Sequence, residues 1–295
     1  KDAGQFLRYR KILKELKPRI VFTYTIKPNI YGGFACRLLK IPCVCTVTGL
    51  GKAIEEGGIM RNILLFMYKV ALQRAQKVFF QNDANRAVFA DKNIGGKRYA
   101  LVKGSGVNLE EFSRMEFPPK TDSIRFIWVA RIAKMKGIDI FLEAAERVKT
   151  KYPQTEFRVL GFIEEDYKEK MREYENRKII DYRGMQQDVR PDLEESQCLI
   201  LPSEAEGMSN ACLEAAACGR ALITTDVPGC RECVADGITG YLIQPGSVED
   251  LTEKIEKFIC LPYNERKHMG EMGREKMEQE FSRETVVDAY MQEIK

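Results

Sequence analysis

The stretch Leu199 to Gly219 reads LILPSEAEGMSNACLEAAACG, and its pattern decides the fold class. It opens as a short apolar run, breaks at Pro202 and Ser203, and passes Glu204 and Glu206 before Gly207. Apolar positions then return at helical spacing through Ala211, Leu213, Ala215 and Ala216. Strand, polar loop and helix start, in that order, turn loop amides and a helix N-terminus toward an anionic ligand.

Glu206 and Glu214 lie eight residues apart, the first in the loop and the second inside the helix. A fully helical separation of that length is about 12 Å, from about 1.5 Å rise per residue. An extended nucleotide-sugar covers a similar distance. A carboxylate at each end can accept bonds from sugar and ribose hydroxyls, with a diphosphate near the helix N-terminus between them. The competing explanation is ordinary surface chemistry, because Glu is common early in helices.

Outward from this stretch, short apolar runs alternate with helical patterns. Upstream, strands are expected at Arg19–Tyr24, Cys43–Val47, Lys77–Gln81 and near Ala100–Val102. Helices are expected over Phe6–Leu16, Lys27–Lys40, Met60–Arg74 and Asn82–Ala90. The mixed face of Met60–Arg74, with Leu64, Leu65, Met67, Tyr68 and Leu72, favours core packing over membrane contact. After a polar hinge at Pro118–Asp122, strands are expected at Ile124–Ala130, Phe157–Gly161, Ile179–Tyr182, Cys198–Leu201 and Ala221–Thr224, with Gly237–Leu242 closing the sheet. Helices are expected at Ile138–Thr150, Val248–Ile259, Tyr263–Glu280 and Thr285–Ile294. This βαβ rhythm implies parallel sheets.

Composition narrows the function classes. The chain has 295 residues, 44% hydrophobic, enough for two domains. No apolar run reaches the length of a membrane span; Ile59–Val70 is interrupted by Arg61, Asn62 and Lys69. The nine cysteines are scattered through apolar segments, which suits buried thiols in a reducing cytoplasm. Cys230 and Cys233 form one C-x-x-C, but with no second pair and a single histidine, zinc or redox use is not expected. The net charge of +4 hides an asymmetry: residues 1–120 carry about 22 basic and about 9 acidic side chains, and the remainder is net acidic. A basic first half suits an anionic membrane surface or polyanionic acceptor, or attraction between the two halves. No aromatic–basic RNA motif or zinc module supports nucleic acid as a partner.

The string PSEAEGMSNACLEAAACG resembles the donor-site signature of retaining glycosyltransferases of family 4, P-S-x-x-E-G-x-x-x-x-x-L-E-A-x-A-x-G. Glu206 and Glu214 fall on its two acidic positions, whereas Glu204 lacks the following glycine. The resemblance implies a GT-B fold: α/β, with two Rossmann-like domains carrying parallel sheets. The expected domains are 1–117 on the acceptor side, incomplete at its N-terminus, and 118–280 holding the nucleotide-sugar. A helix at 281–295 is expected to cross back to the first. Arg131 and Lys136 match the family's basic pair in V-x-R-x-x-x-x-K-G. Cleaving a sugar–phosphate bond builds negative charge on the β-phosphate, and two fixed cations stabilise that leaving group.

By the same resemblance, Glu206 positions donor-sugar hydroxyls and Glu214 takes the ribose. Amides of Gly207, Met208, Ser209 and Asn210 complete the donor pocket, and backbone near Met185 meets the base. The Phe162–Asp166 loop is acidic where relatives often have glycines, so no role is assigned to it. On the acceptor side, TYTIKPNIYGG and TVTGLG are similar to the branch building capsular and lipid-linked bacterial polysaccharides. Thr48, Gly49, Leu50 and Gly51 stand where many relatives carry a histidine, and the only histidine, His268, lies in a late charged helix.

The expected activity is transfer of a hexose or N-acetylhexosamine, with retention, from a UDP-sugar to a lipid-diphosphate-linked or polysaccharide acceptor. The expected place is the inner face of the plasma membrane, held peripherally by the basic first domain. No D-x-D occurs and two cations supply a metal's electrostatic work, so no metal or cofactor is expected. With no protein base evident, a donor phosphate oxygen is available to take the acceptor proton. The alternatives are an inert nucleotide-sugar-binding subunit and a nucleotide-sugar 2-epimerase, the latter disfavoured by the single histidine.

Overall fold

The computed structural model describes residues 2–51, 54, 57–96 and 98–294. Two compact units divide the chain, one formed by residues up to Ser105 plus those from Glu284 onward, the other by Gly106–Arg283. The first carries α1 (Asp2–Leu16), β1 (Val21–Tyr24), α2 (Gly33–Leu39), β2 (Cys43–Val47), α3 (Gly58–Ala71), β3 (Lys77–Phe80), α4 (Asp83–Asp91) and β4 (Tyr99–Leu101). Its four strands pair in the order β1-β2-β3-β4, all parallel. Every residue of β2, CVCTV, is buried, as a strand covered on both faces requires.

The helix expected over Lys27–Lys40 is split: a wide turn at Pro28–Gly32 precedes α2, which ends at Lys40 with φ +57. Asn82 caps α4, its Oδ1 accepting from the Asn85 amide at 2.9 Å. The last helix, Arg283–Gln292, supplies Tyr290 to this unit. Its ring packs edge-on against Phe22 and Phe79, and its hydroxyl lies 2.9 Å from Thr46 Oγ1. Helix α3 buries Leu65, Tyr68 and Ala71, as the core reading requires, yet its opposite face leaves Ile59, Met60, Ile63 and Phe66 exposed. Among the described residues no helix is long and apolar enough to cross a membrane.

The second unit holds β5 (Arg125–Val129), α5 (Ile138–Lys151), β6 (Glu156–Leu160), α6 (Lys168–Asn176), β7 (Asp181–Tyr182), α7 (Arg190–Glu194), β8 (Cys198–Leu201), α8 (Asn210–Ala217), β9 (Ala221–Thr225), β10 (Gly240–Ile243), α9 (Val248–Cys260) and α10 (Tyr263–Glu280). Its six parallel strands run β10-β9-β8-β5-β6-β7, so the chain reverses its winding between β5 and β8. Ligands of open α/β sheets bind where strand order reverses, at the carboxyl ends. The core centres on Trp128, with Phe126 stacked on Phe157 at 5.3 Å and Phe141 beside the indole.

The hinge expected at Pro118–Asp122 lies inside this unit. Residues 106–117 pack with it: Val107 and Phe112 join its core, the Glu116 carbonyl accepts from Arg220 at 2.7 Å, and Phe117 meets Tyr263 edge-on. The two compact units divide the chain at 105/106.

Candidate functional site

β5 and β8 are parallel neighbours, so the loops that follow them leave the same edge of the sheet. After β5 the chain makes a single 3-10 turn, Lys134–Lys136, and reverses at Gly137 with φ +73. After β8 the loop 202–209 leads into α8. The two loops are stitched together: the Glu204 amide donates to the Met135 carbonyl at 2.9 Å, and Ser203 Oγ donates to the same oxygen at 3.1 Å. A β-carbon at Gly137 would stand 1.9 Å from the Pro202 carbonyl oxygen, so only glycine permits this approach. These contacts deliver Lys136 Nζ to Glu206 Oε1 at 2.5 Å, the side chains 23% and 13% exposed.

Helix α8 starts with Ser209 as cap, its Oγ accepting from the Cys212 amide at 3.4 Å. Of the amides of 207–210, expected to face a ligand together, that of Ser209 is turned to another partner. The Ser209 amide donates to the Gly229 carbonyl at 2.8 Å. The Met208 side chain is buried against the Cys233 thiol at 3.8 Å, so it does not face the loop's open side. Gly207 is half-buried and Asn210 is exposed at the first helical position, where the helix dipole favours negative charge.

Glu214 is half-buried farther along α8. Burial pushes its carboxyl up from 4.5 to about 7; Glu111 adds to the rise and Arg283 opposes it. Because the folded value lies above the unfolded one, the native state holds the proton more tightly. That contribution is complete below about pH 4.5 and is lost as pH rises through about 7. Unfolding free energy from urea titrations should therefore fall by on the order of 2 kcal/mol across that window, discounted for the solvent that reaches the group. Glu214→Gln should remove that segment of the profile, and an unchanged slope would place the titration elsewhere.

Arg131 stands apart from this pair. Its Nη1 bonds Glu164 Oε1 at 2.9 Å, both side chains being exposed. Glu164 belongs to the acidic Phe162–Asp166 loop, for which no role is expected. β5 and β6 are adjacent, and Ile132 bridges Ile163 in parallel, so the two loops run side by side. Met185 follows β7 and is 71% exposed. In the first unit, Thr48–Gly51 follow the carboxyl end of β2. Leu50 is buried in that unit's core, so it offers a ligand only its backbone. The sole histidine, His268, is exposed on α10, with Nδ1 3.9 Å from Glu271. The structure thus joins Lys136 to Glu206, ties Arg131 to Glu164, and sets Glu214 among Glu111 and Arg283.

Two family descriptions match the chain: "Glycosyl transferases group 1" over residues 110–276, and "Glycosyl transferase 4-like" over residues 4–82. The chain is 27% identical to N,N'-diacetylbacillosaminyl-diphospho-undecaprenol alpha-1,3-N-acetylgalactosaminyltransferase of Campylobacter jejuni, covering 86% of this chain and 71% of that protein. It is also 27% identical to UDP-Gal:alpha-D-GlcNAc-diphosphoundecaprenol alpha-1,3-galactosyltransferase of Escherichia coli, covering 84% and 68%. Among solved structures it is similar to Anabaena Alr3699/HepE in complex with UDP, with a TM-score of 0.82 at 16% identity over 97% of this chain and 80% of that one. Sucrose-phosphate synthase from Thermosynechococcus elongatus gives 0.79 at 18% identity, covering 98% and 77%. These likenesses give the fold as GT-B.

Proposed function

Because the chain belongs to the glycosyl transferases of group 1, we propose that it moves a hexose or N-acetylhexosamine from a UDP-sugar to a lipid-diphosphate-linked acceptor, with retention of anomeric configuration. The observation that carries this reading is the Lys136–Glu206 contact, built by two stitched loops beside the start of α8. A cation and a carboxylate held in one place can grip the two chemically different ends of a sugar–diphosphate. Lys136 stabilises charge on the departing phosphate, and Glu206 accepts from sugar hydroxyls. Gly207 and Asn210 lie where the helix dipole favours the diphosphate, and Glu214 accepts from the ribose.

Arg131 reaches the diphosphate by exchanging Glu164 for a phosphate oxygen. Exposed pairs of this kind are worth about 0–1 kcal/mol, so a dianionic ligand can displace the carboxylate. The names of the Campylobacter and Escherichia relatives, which carry diphospho-undecaprenol acceptors, support the acceptor class, and the UDP in the Anabaena structure supports the nucleotide. A radiolabelled panel of UDP-sugars incubated with the protein and a bacterial membrane extract tests the reading. Transfer to extractable lipid is expected, whereas UDP binding without turnover would favour an inert binding subunit.

The same reading places the protein on the cytoplasmic face of the membrane, through the first unit. Ile59, Ile63 and Phe66 recur at helical spacing on α3, with Ile59 81% and Phe66 67% exposed, and Lys69 follows Phe66 by three residues on the adjoining side. Apolar side chains next to a cation suit an interfacial contact with anionic lipid. Replacing both Ile63 and Phe66 by Glu should lower co-sedimentation with phosphatidylglycerol vesicles at least about tenfold, given about 1.5–3 kcal/mol per buried large apolar side chain. UDP binding should be unaffected. Unchanged vesicle binding would exclude this face.

A further inference from the structure

The reading above assigns no residue of the turn after β9 to substrate, yet that turn meets the backbone of the Glu206 loop directly. Gly229 has φ +87, and a β-carbon there would lie 2.5 Å from the Glu206 carbonyl oxygen and 2.8 Å from the Gly207 carbonyl carbon. Its Cα is therefore pressed against the peptide joining Glu206 to Gly207. The two peptide planes flanking that Cα are fixed separately. The Gly229 carbonyl accepts from the Ser209 amide at 2.8 Å. The Gly229 amide donates to Glu232 Oε2 at 2.7 Å. Glu232 is the middle residue of the short turn Arg231–Cys233 and reaches back three residues to that amide, as the glutamate of a capping box does. Below, the Cys233 thiol packs on Met208 and on the Gly229 carbonyl, both at 3.8 Å, so the floor of the loop is fixed from beneath.

We propose that Glu232 is a positioning residue for the donor loop: by holding the Gly229 amide it fixes the peptide that carries Glu206 and starts α8. The chemistry favours a carboxylate, since a charge-assisted bond to a backbone amide is about twice as strong as a neutral one. It also favours glycine at 229, where a left-handed φ and a close approach coincide. Losing the bond frees the Val227–Cys233 turn. The Ser209 amide then loses a fixed acceptor, and Glu206 loses the surface behind its backbone. Glu232 acts on the sugar-nucleotide only through these intermediates, and its importance to catalysis rests on the nucleotide-sugar reading of the Glu206 loop.

The test uses the full chain with two readouts, amide hydrogen exchange at Ser209 and UDP binding by calorimetry. Glu232→Ala should speed Ser209 exchange and weaken UDP binding, each about tenfold, the scale of one lost charged hydrogen bond. Glu232→Gln keeps an acceptor oxygen and should return both to within about threefold of the wild type. Ile255→Val, a core change on α9, serves as the control for general destabilisation and should leave both readouts unmoved. The proposal is overturned if Glu232→Ala leaves Ser209 exchange unchanged. It is equally overturned if Gln restores nothing, or if the Ile255 variant reproduces the loss. Should the wild type fail to bind UDP, the nucleotide reading falls, while Ser209 exchange still decides whether Glu232 holds the loop.

Discussion

Glu206→Ala should lower kcat/KM for the donor by about 10²–10³-fold, the scale seen when one preorganised group of an electrostatic site is removed. The structural cost should be far smaller. Glu206 and Lys136 are 13% and 23% exposed, between the surface pair worth about 0–1 kcal/mol and the fully buried pair whose breakage costs about 3–5. Water reaches the lysine left behind, so the melting midpoint should drop by no more than about 5 °C. Glu206→Gln separates two roles for the carboxylate. The amide can still meet a sugar hydroxyl but no longer neutralises Lys136, so UDP alone should bind it at least as well as the wild type while transfer stays impaired. Stopped-time transfer assays beside thermal melts read both quantities. Wild-type turnover in Glu206→Ala would mean that the carboxylate only balances Lys136 in the resting protein.

Much of this site was legible because local chemistry leaves local marks. The break at Pro202–Ser203, the glutamate before Gly207 and the return of helical spacing located the loop and α8, and Ser209 and Asn82 cap their helices with side chains short enough to reach the third amide. Other features needed facts the linear order does not carry. Glu164 became the partner of Arg131 because β5 and β6 are neighbours in the sheet, and an acidic turn by itself does not announce that adjacency.

Met208 reads as one more residue of a polar loop, but a thiol twenty-five positions away draws its side chain into the core. The Ser209 amide looks available until the turn around Gly229 is placed beneath it. What the Pro118–Pro119 stretch packs against is hidden for a related reason. Pro118 and Pro119 have the composition of a linker, yet the Pro118 carbonyl accepts from the Tyr263 hydroxyl at 3.0 Å, a contact from α10 that nothing near Pro118 foretells. Proline fixes backbone shape; it does not say what the segment packs against.

Lys136→Ala is the complementary experiment, and its pattern of loss differs from that of Glu206→Ala. A lysine facing the diphosphate touches the ground state as well as the departing phosphate, so both UDP affinity and kcat should suffer. About tenfold in binding and a further tenfold or more in kcat is expected, from one charge-assisted contact that strengthens as the leaving group gains charge. Arg131 does not replace it: that guanidinium leaves the start of the same loop and bonds Glu164 of the neighbouring loop, not Glu206. Lys136→Arg should recover part of the binding but little of the rate, because the longer planar fork does not fit the Nζ position 2.5 Å from Glu206 Oε1. Since the two side chains form one contact, their effects should not add. In the Glu206→Ala background, removing Lys136 should cost less than it does in the wild type, a coupling of about 1–2 kcal/mol in a double-mutant cycle on kcat/KM. Additive losses would show that the two groups act on the donor independently. The Lys136–Glu206 contact would then neutralise charge without shaping the donor site.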